Sequence, residues 1–387
     1  TKTDIRSVYD YDGQLETYFR PPSPVVSVNN RLFLRDSNWF TDFPSSASVI
    51  TRFFEREGGE TPSLVVAVTP DTIAKLLELT GPITVGSSTI TKDNITELLQ
   101  TQTSLNYDKS ANNPKQLLAD AFPVLLQKLG SLRGAGLLPL WSALETSLQN
   151  KQLLLTSNVA AMEQHLAALN WNGALQNTDR DFLLLSSSNL GGTKTDQFLT
   201  KVYNLETAIE ADGRITNTVT VTVTNPLPKD SGLTNTSFWR IYTPKGSRLS
   251  ASTGFDAVTL PRLDDKRYTE DSSIAAWNQN TSIDNSSGTF TSQENNTTVF
   301  GNWLVVAGGE TKTASISYTL PFNLKNIDRY SLLWQKQPGS KQETYNISLH
   351  SDSNHILWRS QNAPQGAQPQ AGELNRDFWY GIVLKQP

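Results

Sequence analysis

Cysteine is absent from these 387 residues, which excludes disulfides, thiolate-bound zinc and thiol nucleophiles. The absence does not fix a compartment, because cysteine-free chains occur in all of them. Histidine is nearly absent: His165, His350 and His355 are the only three. None has metal-ligand spacing such as HExxH, so no metal site and no cofactor are expected. A Ser-His-Asp site would have to use one of them. His165, in Met162-Glu163-Gln164-His165-Leu166, lies in a helical stretch and reads as a solvated helix residue. Long apolar runs are also missing: nothing approaches the ~18 residues that cross a bilayer. No secretory leader is visible. Thr1-Lys2-Thr3-Asp4 reads as the start of a trimmed or processed piece, with any leader or membrane anchor outside it. Charge is sparse at 18%, the net charge is -4, and no basic block occurs. Nucleic acid is therefore not an expected partner, since binding it takes a Lys/Arg stripe that replaces counterions.

Thr, Ser, Asn and Gln take the place of charge, beside 37% hydrophobic residues. A surface of that kind is polar but uncharged, as on many secreted proteins. The length suits two or three domains of roughly 100–200 residues each, large enough to bury cores without staples.

The first part of the chain reads as α/β. Asp4-Ile5-Arg6-Ser7-Val8-Tyr9 alternates like a strand. If a strand upstream of it were missing, an open edge at Ile5–Tyr9 would invite strand addition. Arg20-Pro21-Pro22-Ser23-Pro24 must be a loop or extended segment. Pro44-Ser45-Ser46-Ala47-Ser48 opens a helix, with Ser45 or Ser46 as the cap and Val49, Ile50, Phe53 and Phe54 as its apolar stripe. Ser63-Leu64-Val65-Val66-Ala67-Val68 reads as a buried strand of a parallel sheet. A helix over 72–79 follows, stopped by Gly81-Pro82, and the succession predicts a βαβ unit. Residues 101–180 read as mainly helical, with Leu at helical spacing over 116–129 and 137–148 and another helix over 159–169. Lys151–Thr156 suits strand or helix, and its position between two helical stretches favours a strand; Asp181–Ser186 reads as another buried strand.

The pattern changes near residue 205. Ile215 to Thr224 alternates Val and Thr, as a half-buried antiparallel strand does. Further strands are predicted at 237–242, 298–306, 312–319, 329–335, 343–349 and 378–384, at sandwich-like spacing. Segment 270–297, rich in Ser, Asn, Thr and Gln, reads as a long polar surface loop or an irregular edge. The expected fold class is α+β and multidomain. An N-terminal α/β domain (1–204) contains the helical segment, and an antiparallel β-sandwich domain spans 205–387.

Several blocks point further. Leu34-Arg35-Asp36-Ser37-Asn38-Trp39 followed by Asp42-Phe43-Pro44 resembles the RDANW…DFP block of the domain-of-unknown-function family 4012. Ala67-Val68-Thr69-Pro70, running on to Leu76-Leu77-Glu78-Leu79-Thr80-Gly81-Pro82-Ile83, is similar to its IDP…LLELTGP block. Asn170-Trp171-Asn172-Gly173-Ala174-Leu175 resembles its GWDGAL segment, and Asn189-Leu190-Gly191-Gly192-Thr193-Lys194-Thr195-Asp196 its NxGGxKxD loop. Tyr242-Thr243-Pro244-Lys245-Gly246-Ser247 and Lys336-Gln337-Pro338-Gly339 resemble two late motifs. The resemblance implies a bacterial envelope protein, usually held behind an N-terminal membrane anchor, with no established activity. A more distant likeness is to the LytR-CpsA-Psr family, which transfers glycan from a lipid diphosphate to the cell wall. It rests on the strand-then-helix layout ending in Thr80-Gly81-Pro82 and on the Arg35-Asp36 pair.

Six residues stand as ligand candidates. Arg35 and Asp36, with Asp42, could hold a phosphate or its cation, although an Arg-Asp pair is more often a structural ion pair. Trp39 could be a sugar platform, or a core aromatic. Lys194 and Asp196 sit in a two-glycine loop whose amides could cradle an anion, or which could simply be a turn. Asp264, Asp265, Glu270 and Asp271 lack EF-hand spacing and read as a solvated loop. The Asn-x-Ser/Thr triplets, such as Asn94 and Asn346, read as chance in a Thr/Asn-rich chain. No catalytic constellation emerges, so an enzyme is the less favoured reading. The expectation is a bacterial cell-surface structural or interaction protein, a subunit of a surface assembly. Its partners would be other envelope proteins, copies of itself or cell-wall glycan, and its membrane contact would run only through a segment outside this chain. The alternative is an envelope enzyme or binder of lipid-linked glycan diphosphate, with an apolar groove beside Arg35.

Overall fold

The computed structural model describes residues 6, 8–13, 15–100, 116–325, 327–351, 355–360 and 370–385. The chain is α+β with a large β-rich C-terminal part. It divides into two compact units, one of Thr1–Glu16 with Phe33–Ala174, the other of Thr17–Leu32 with Leu175–Pro387. No described helix is long and apolar enough to cross a membrane.

The first unit holds seven helices and four short strands among its described residues: α1 (Tyr9–Asp12), α2 (Phe43–Arg56), β1 (Leu64–Val68), α3 (Pro70–Thr80), β2 (Ile83–Val85), β3 (Ser88–Ile90), α4 (Ile95–Gln100), α5 (Gln116–Ser131), α6 (Leu137–Gln149), β4 (Leu153–Ser157) and α7 (Ala160–Ala168). Asp42 caps α2: its carboxylate accepts from the Ser45 N–H at 2.9 Å and the Ser45 hydroxyl at 2.6 Å. The expected caps Ser45 and Ser46 are instead donors, Ser46 Oγ reaching back to Phe40 O at 2.8 Å. Pro44 then falls in the first turn, where its missing N–H costs nothing. Phe43 and Ala47 bury themselves against Leu154 with Val65 and Ala67 alongside, while Leu76, Leu77, Ile83, Ile90, Ile95, Ala121 and Leu125 form a second core.

Two expectations fail here. β1 is not buried and not parallel: it pairs antiparallel with β4, and Leu64, Val66 and Val68 are 41%, 48% and 46% exposed. Nor is there a βαβ unit, since β2 pairs with β3. Gly86, at φ +56°, lets the chain reverse at once, so the segment after α3 bonds to its immediate successor and never returns beside β1. Of the strand expected at Asp4–Tyr9, Asp4, Ile5 and Ser7 lie outside the described residues, and Tyr9 opens α1 instead.

The second unit is a sandwich. Its strands among the described residues are β5 (Asp181–Asn189), β6 (Thr200–Ile209), β7 (Arg214–Thr224), β8 (Asn235–Pro244), β9 (Arg248–Thr253), β10 (Ser282–Ile283), β11 (Phe290–Glu294), β12 (Thr297–Val306), β13 (Thr311–Asn323), β14 (Arg329–Gln335), β15 (Glu343–Ser351), β16 (His355–Arg359), β17 (Gln370–Glu373) and β18 (Phe378–Lys385), and the α-helix α8 (Ser272–Gln279) lies among them. One sheet runs β10-β11-β12-β8-β5-β14-β18-β16, the other β17-β15-β6-β7-β13-β9. Alternate residues of both sheets meet in a single core, Leu183, Trp239, Leu304, Leu332 and Trp334 from the first, Tyr203, Val219, Val221, Ile316 and Tyr345 from the second.

β7 falls where alternation placed a strand, and β8, β12, β13, β14, β15 and β18 where sandwich-like spacing placed them. The sandwich is not wholly antiparallel, however: β14 lies parallel to β5, and β15 parallel to β6. Hairpins force antiparallel pairing only between sequence neighbours, and these pairs join strands far apart in the chain. A boundary at 204/205 would cut through β6, and β5 already belongs to the larger sheet. Segment 270–297 is not one long loop: it holds α8, then β10 and β11 at the edge of the larger sheet, the irregular-edge alternative. Asp271 caps α8 by accepting from Ser273 N–H at 3.1 Å, Ile274 and Trp277 are buried, and Asn295-Asn296, both left-handed, turn β11 into β12. Its polar composition hides these buried positions.

Trp334, with no exposed surface, stacks on Tyr203 and Phe378 at 6.5 and 5.9 Å and packs at a tilt on Tyr345 at 5.4 Å. Trp334→Ala is expected to cost about 3–5 kcal/mol in chemical denaturation, and a loss below 1 kcal/mol would show that this aromatic contact does not hold the sheets together.

Candidate functional site

In the first unit, a 3-10 turn at Leu34–Asp36 places Arg35 beside two carboxylates. Its guanidinium donates to Asp12 Oδ2 at 2.7 Å, lies 3.8 Å from Asp36 Oδ2 and packs over the Phe33 ring at 4.4 Å. Asp12 is buried, and so are Asp42, as the α2 cap, and Trp39 at 4% exposure, where no sugar could stack on it. Leu34 N–H donates to Glu57 Oε1 at 3.1 Å, tying the turn to the end of α2. The block therefore binds itself. Arg35→Ala is expected to lower stability by about 1–3 kcal/mol by stranding the buried Asp12 carboxylate; a variant as stable as the parent in urea would contradict this.

Asn170-Trp171-Asn172-Gly173 runs along the free edge of β4, where Leu155 N–H donates to Trp171 O at 3.0 Å. Gly173 needs its φ of +65°, and a Cβ there would meet Leu154 Cδ1 at 2.8 Å.

Lys194 and Asp196 lie in the second unit. Lys194 is exposed. Asn189 Nδ2 donates to Thr193 O and to Asp196 Oδ2 at 2.8 Å, and Gly191 N–H donates to Asn189 Oδ1 at 3.0 Å, so the loop closes on its own side chains. Gln337 likewise completes the ladder of β5: its Oε1 accepts from Ser187 N–H at 3.0 Å and its Nε2 donates to Ser187 O at 3.1 Å. Lys336 Nζ is folded onto Gln337 O and Ser340 O in the same turn.

The buried ionisable groups of the second unit were not among the six candidates. Lys201 Nζ sits 3.5 Å from Glu343 Oε1 and donates to Ser187 Oγ at 3.0 Å, while Glu343 also accepts from Tyr203 at 2.8 Å and Ser340 at 2.8 Å. Glu294 accepts from Trp277 Nε1 at 2.7 Å and Tyr242 at 2.9 Å, with Arg240 at 3.9 Å. Asp181 is fully buried and accepts from Tyr330, Asn217 Nδ2 at 2.7 Å and the Phe182 N–H at 2.8 Å; no cation touches it among the described residues. Strand parity was the signal: Asp181 shares a face with Leu183 and Leu185, Lys201 with Tyr203 and Leu205. An apolar groove of about 300 Å³ in this unit is lined by Val26, Leu260, Leu263, Ile283 and Phe290, with Arg20 at its rim paired to Glu270 at 2.7 Å. It contains none of the six candidates. No three His, Asp or Glu side chains gather as a metal site among the described residues.

Residues 11–103 match the model of a protein family of unknown function, DUF4012. The match spans the Arg35 block and the strand-helix block that follows it. No curated protein matches the chain. Among solved structures, the chain is similar to an M1 zinc metallopeptidase from Deinococcus radiodurans, at 12% identity and TM-score 0.21, over 49% of this chain and 39% of that one. It thus spans well under half of that enzyme's length. It is also similar to a putative nutrient binding protein from Legionella pneumophila, at 6% identity and TM-score 0.25, over 52% of this chain and 71% of that one. Likenesses at these TM-scores decide nothing about this chain.

Burial pushes the Asp181 carboxyl up to about 6, against the pull of its three hydrogen bonds. Its folded-state pKa thus exceeds the unfolded value, so its stabilising effect is complete below the unfolded pKa and is lost as pH rises through about 6. The stability of the parent relative to Asp181→Asn should fall by about 3 kcal/mol between roughly pH 4 and 7, read from denaturation at each pH. A difference that does not change with pH would show that Asp181 titrates normally.

Proposed function

We propose that this chain is an extracytoplasmic part of a bacterial cell-surface protein, with a structural or interaction role in a surface assembly. One observation carries the reading: the outward face of β7 and β13 is built of paired hydroxyls. Thr218 meets Ser317 at 2.8 Å, Thr220 meets Ser315 at 3.0 Å, Thr222 meets Thr313 at 3.0 Å and Thr224 meets Thr311 at 2.8 Å. Asn204 and Asn346 extend the array at 2.8 Å. Such a face is wetted without carrying a field, and its contacts would depend little on salt. That suits a life among neutral glycan and neighbouring envelope proteins.

The polar clusters support the same reading, since the buried charges described above are engaged with partners inside the fold. A binder of lipid-linked glycan diphosphate would draw on Arg35 and Asp36, and that guanidinium is already engaged by Asp12. Protease shaving of intact cells of the source organism, followed by immunoblotting for this chain, is expected to remove it while a cytoplasmic marker survives. A chain that is shaved only after lysis would end the proposal.

A further inference from the structure

β1 leaves its sheet half finished. It pairs with β4 on one side, and no described strand lies on the other. Thr69 N–H donates to Gln152 O at 3.0 Å and Asn158 N–H to Ser63 O at 3.3 Å. In an antiparallel ladder, residues that exchange bonds with a neighbouring strand alternate with residues that do not. Ser63, Val65, Ala67 and Thr69 therefore turn their backbone groups toward β4, and Leu64, Val66 and Val68 turn theirs to the open edge. The side chains of those same three are the exposed ones, at 41%, 48% and 46%. Val65 and Ala67 pack on the other face, toward Phe43 and Ala47 of α2.

Natural edge strands are guarded by Lys, Pro, inward charges or bulges. This one has no charged residue from Pro62 to Pro70, and its register with β4 is unbroken. We infer that β1 docks antiparallel on β1 of a second copy of this chain, about a two-fold axis at Val66. Val66 then faces the second copy's Val66, and Leu64 faces the second copy's Val68. Every residue so paired already points its N–H and C=O outward, so each pair exchanges both hydrogen bonds. An axis between residues would set outward groups against inward ones and lose them. Pro62 comes opposite the second copy's Pro70, which ends the ladder at both sides. Leu64, Val66 and Val68 of both copies fall on one face of a four-stranded sheet as a continuous apolar stripe. Charge also fits self-pairing, because no like charges oppose one another along the contact.

The contact is small. It lies below the roughly 800 Å² per partner of a standard interface, so dissociation in the micromolar range is expected. The inference deepens the assembly reading above and rests on it for its purpose, but it is tested separately: a chain can fail to dimerise yet sit on the cell surface, or the reverse. Light scattering of the whole chain across the micromolar range is expected to show a monomer passing to a dimer. Val66→Lys should hold the chain monomeric throughout without lowering its melting temperature, since the site is nearly half exposed. Because the chain has no cysteine, Val66→Cys is a clean reporter: paired Cα atoms about 5.5 Å apart are within disulfide reach. It should cross-link to itself under mild oxidation several times faster than Val159→Cys, which is similarly exposed but off the strand. A parent chain that stays monomeric, dimers that survive Val66→Lys, or equal cross-linking of the two cysteine variants would each overturn the inference.

Discussion

Face-to-face burial of two sheets is the contact on which the rest of the second unit depends. Leu183, Leu332 and Trp334 on one side and Val219, Ile316 and Tyr203 on the other are each buried to within 1%. Once alternate residues of each strand are committed to that interior, the fate of every other side chain follows by parity. Val219, Val221 and Val223 go in, and Thr218, Thr220 and Thr222 come out to pair with β13. The same rule carries Asp181 and Lys201 inside, where each needs partners because an unpaired charge in that setting costs several kcal/mol. Lys201 has Glu343; Asp181 has Tyr330 and Asn217.

The blocks that resemble a family mostly shape the backbone. Asn189 and Asp196 close a loop, Gln337 stands in for a missing strand at Ser187, Gly173 allows a left-handed turn against Leu154, and Asp42 starts α2. Arg35 is the one that resembles a ligand residue most, and its guanidinium joins α1 to the turn before α2. Residues in such roles are hard to replace because each meets a geometric demand that few side chains satisfy, which needs no ligand.

Alternation made the middle of the second sheet legible in the sequence: β7 and β13 follow from Val/Thr and apolar/polar rhythm alone. The failures have physical causes. A short run such as Leu64–Val68 looks alike whether one face or both are covered, because Leu and Val say nothing of what packs on them. Segment 270–297 was misleading because Glu294 and Ser292 are buried by hydrogen bonding and packing that composition does not show. Parallel neighbours β5 and β14 depend on contacts between residues about 150 positions apart, beyond any local pattern. Among the site candidates, the pairing of Arg35 with Asp36 was readable as adjacency, while Asp12, its closer partner, lay 23 residues away in sequence and carried no signal.

The central claim is that one sandwich interior organises the second unit and fixes its buried charges. Hydrogen–deuterium exchange of the native chain tests it most directly. The account predicts that the amides of β5, β6, β7, β8, β13 and β14 exchange slowest and lose protection together on adding denaturant. Early, independent exchange of the two sheets would contradict a shared interior.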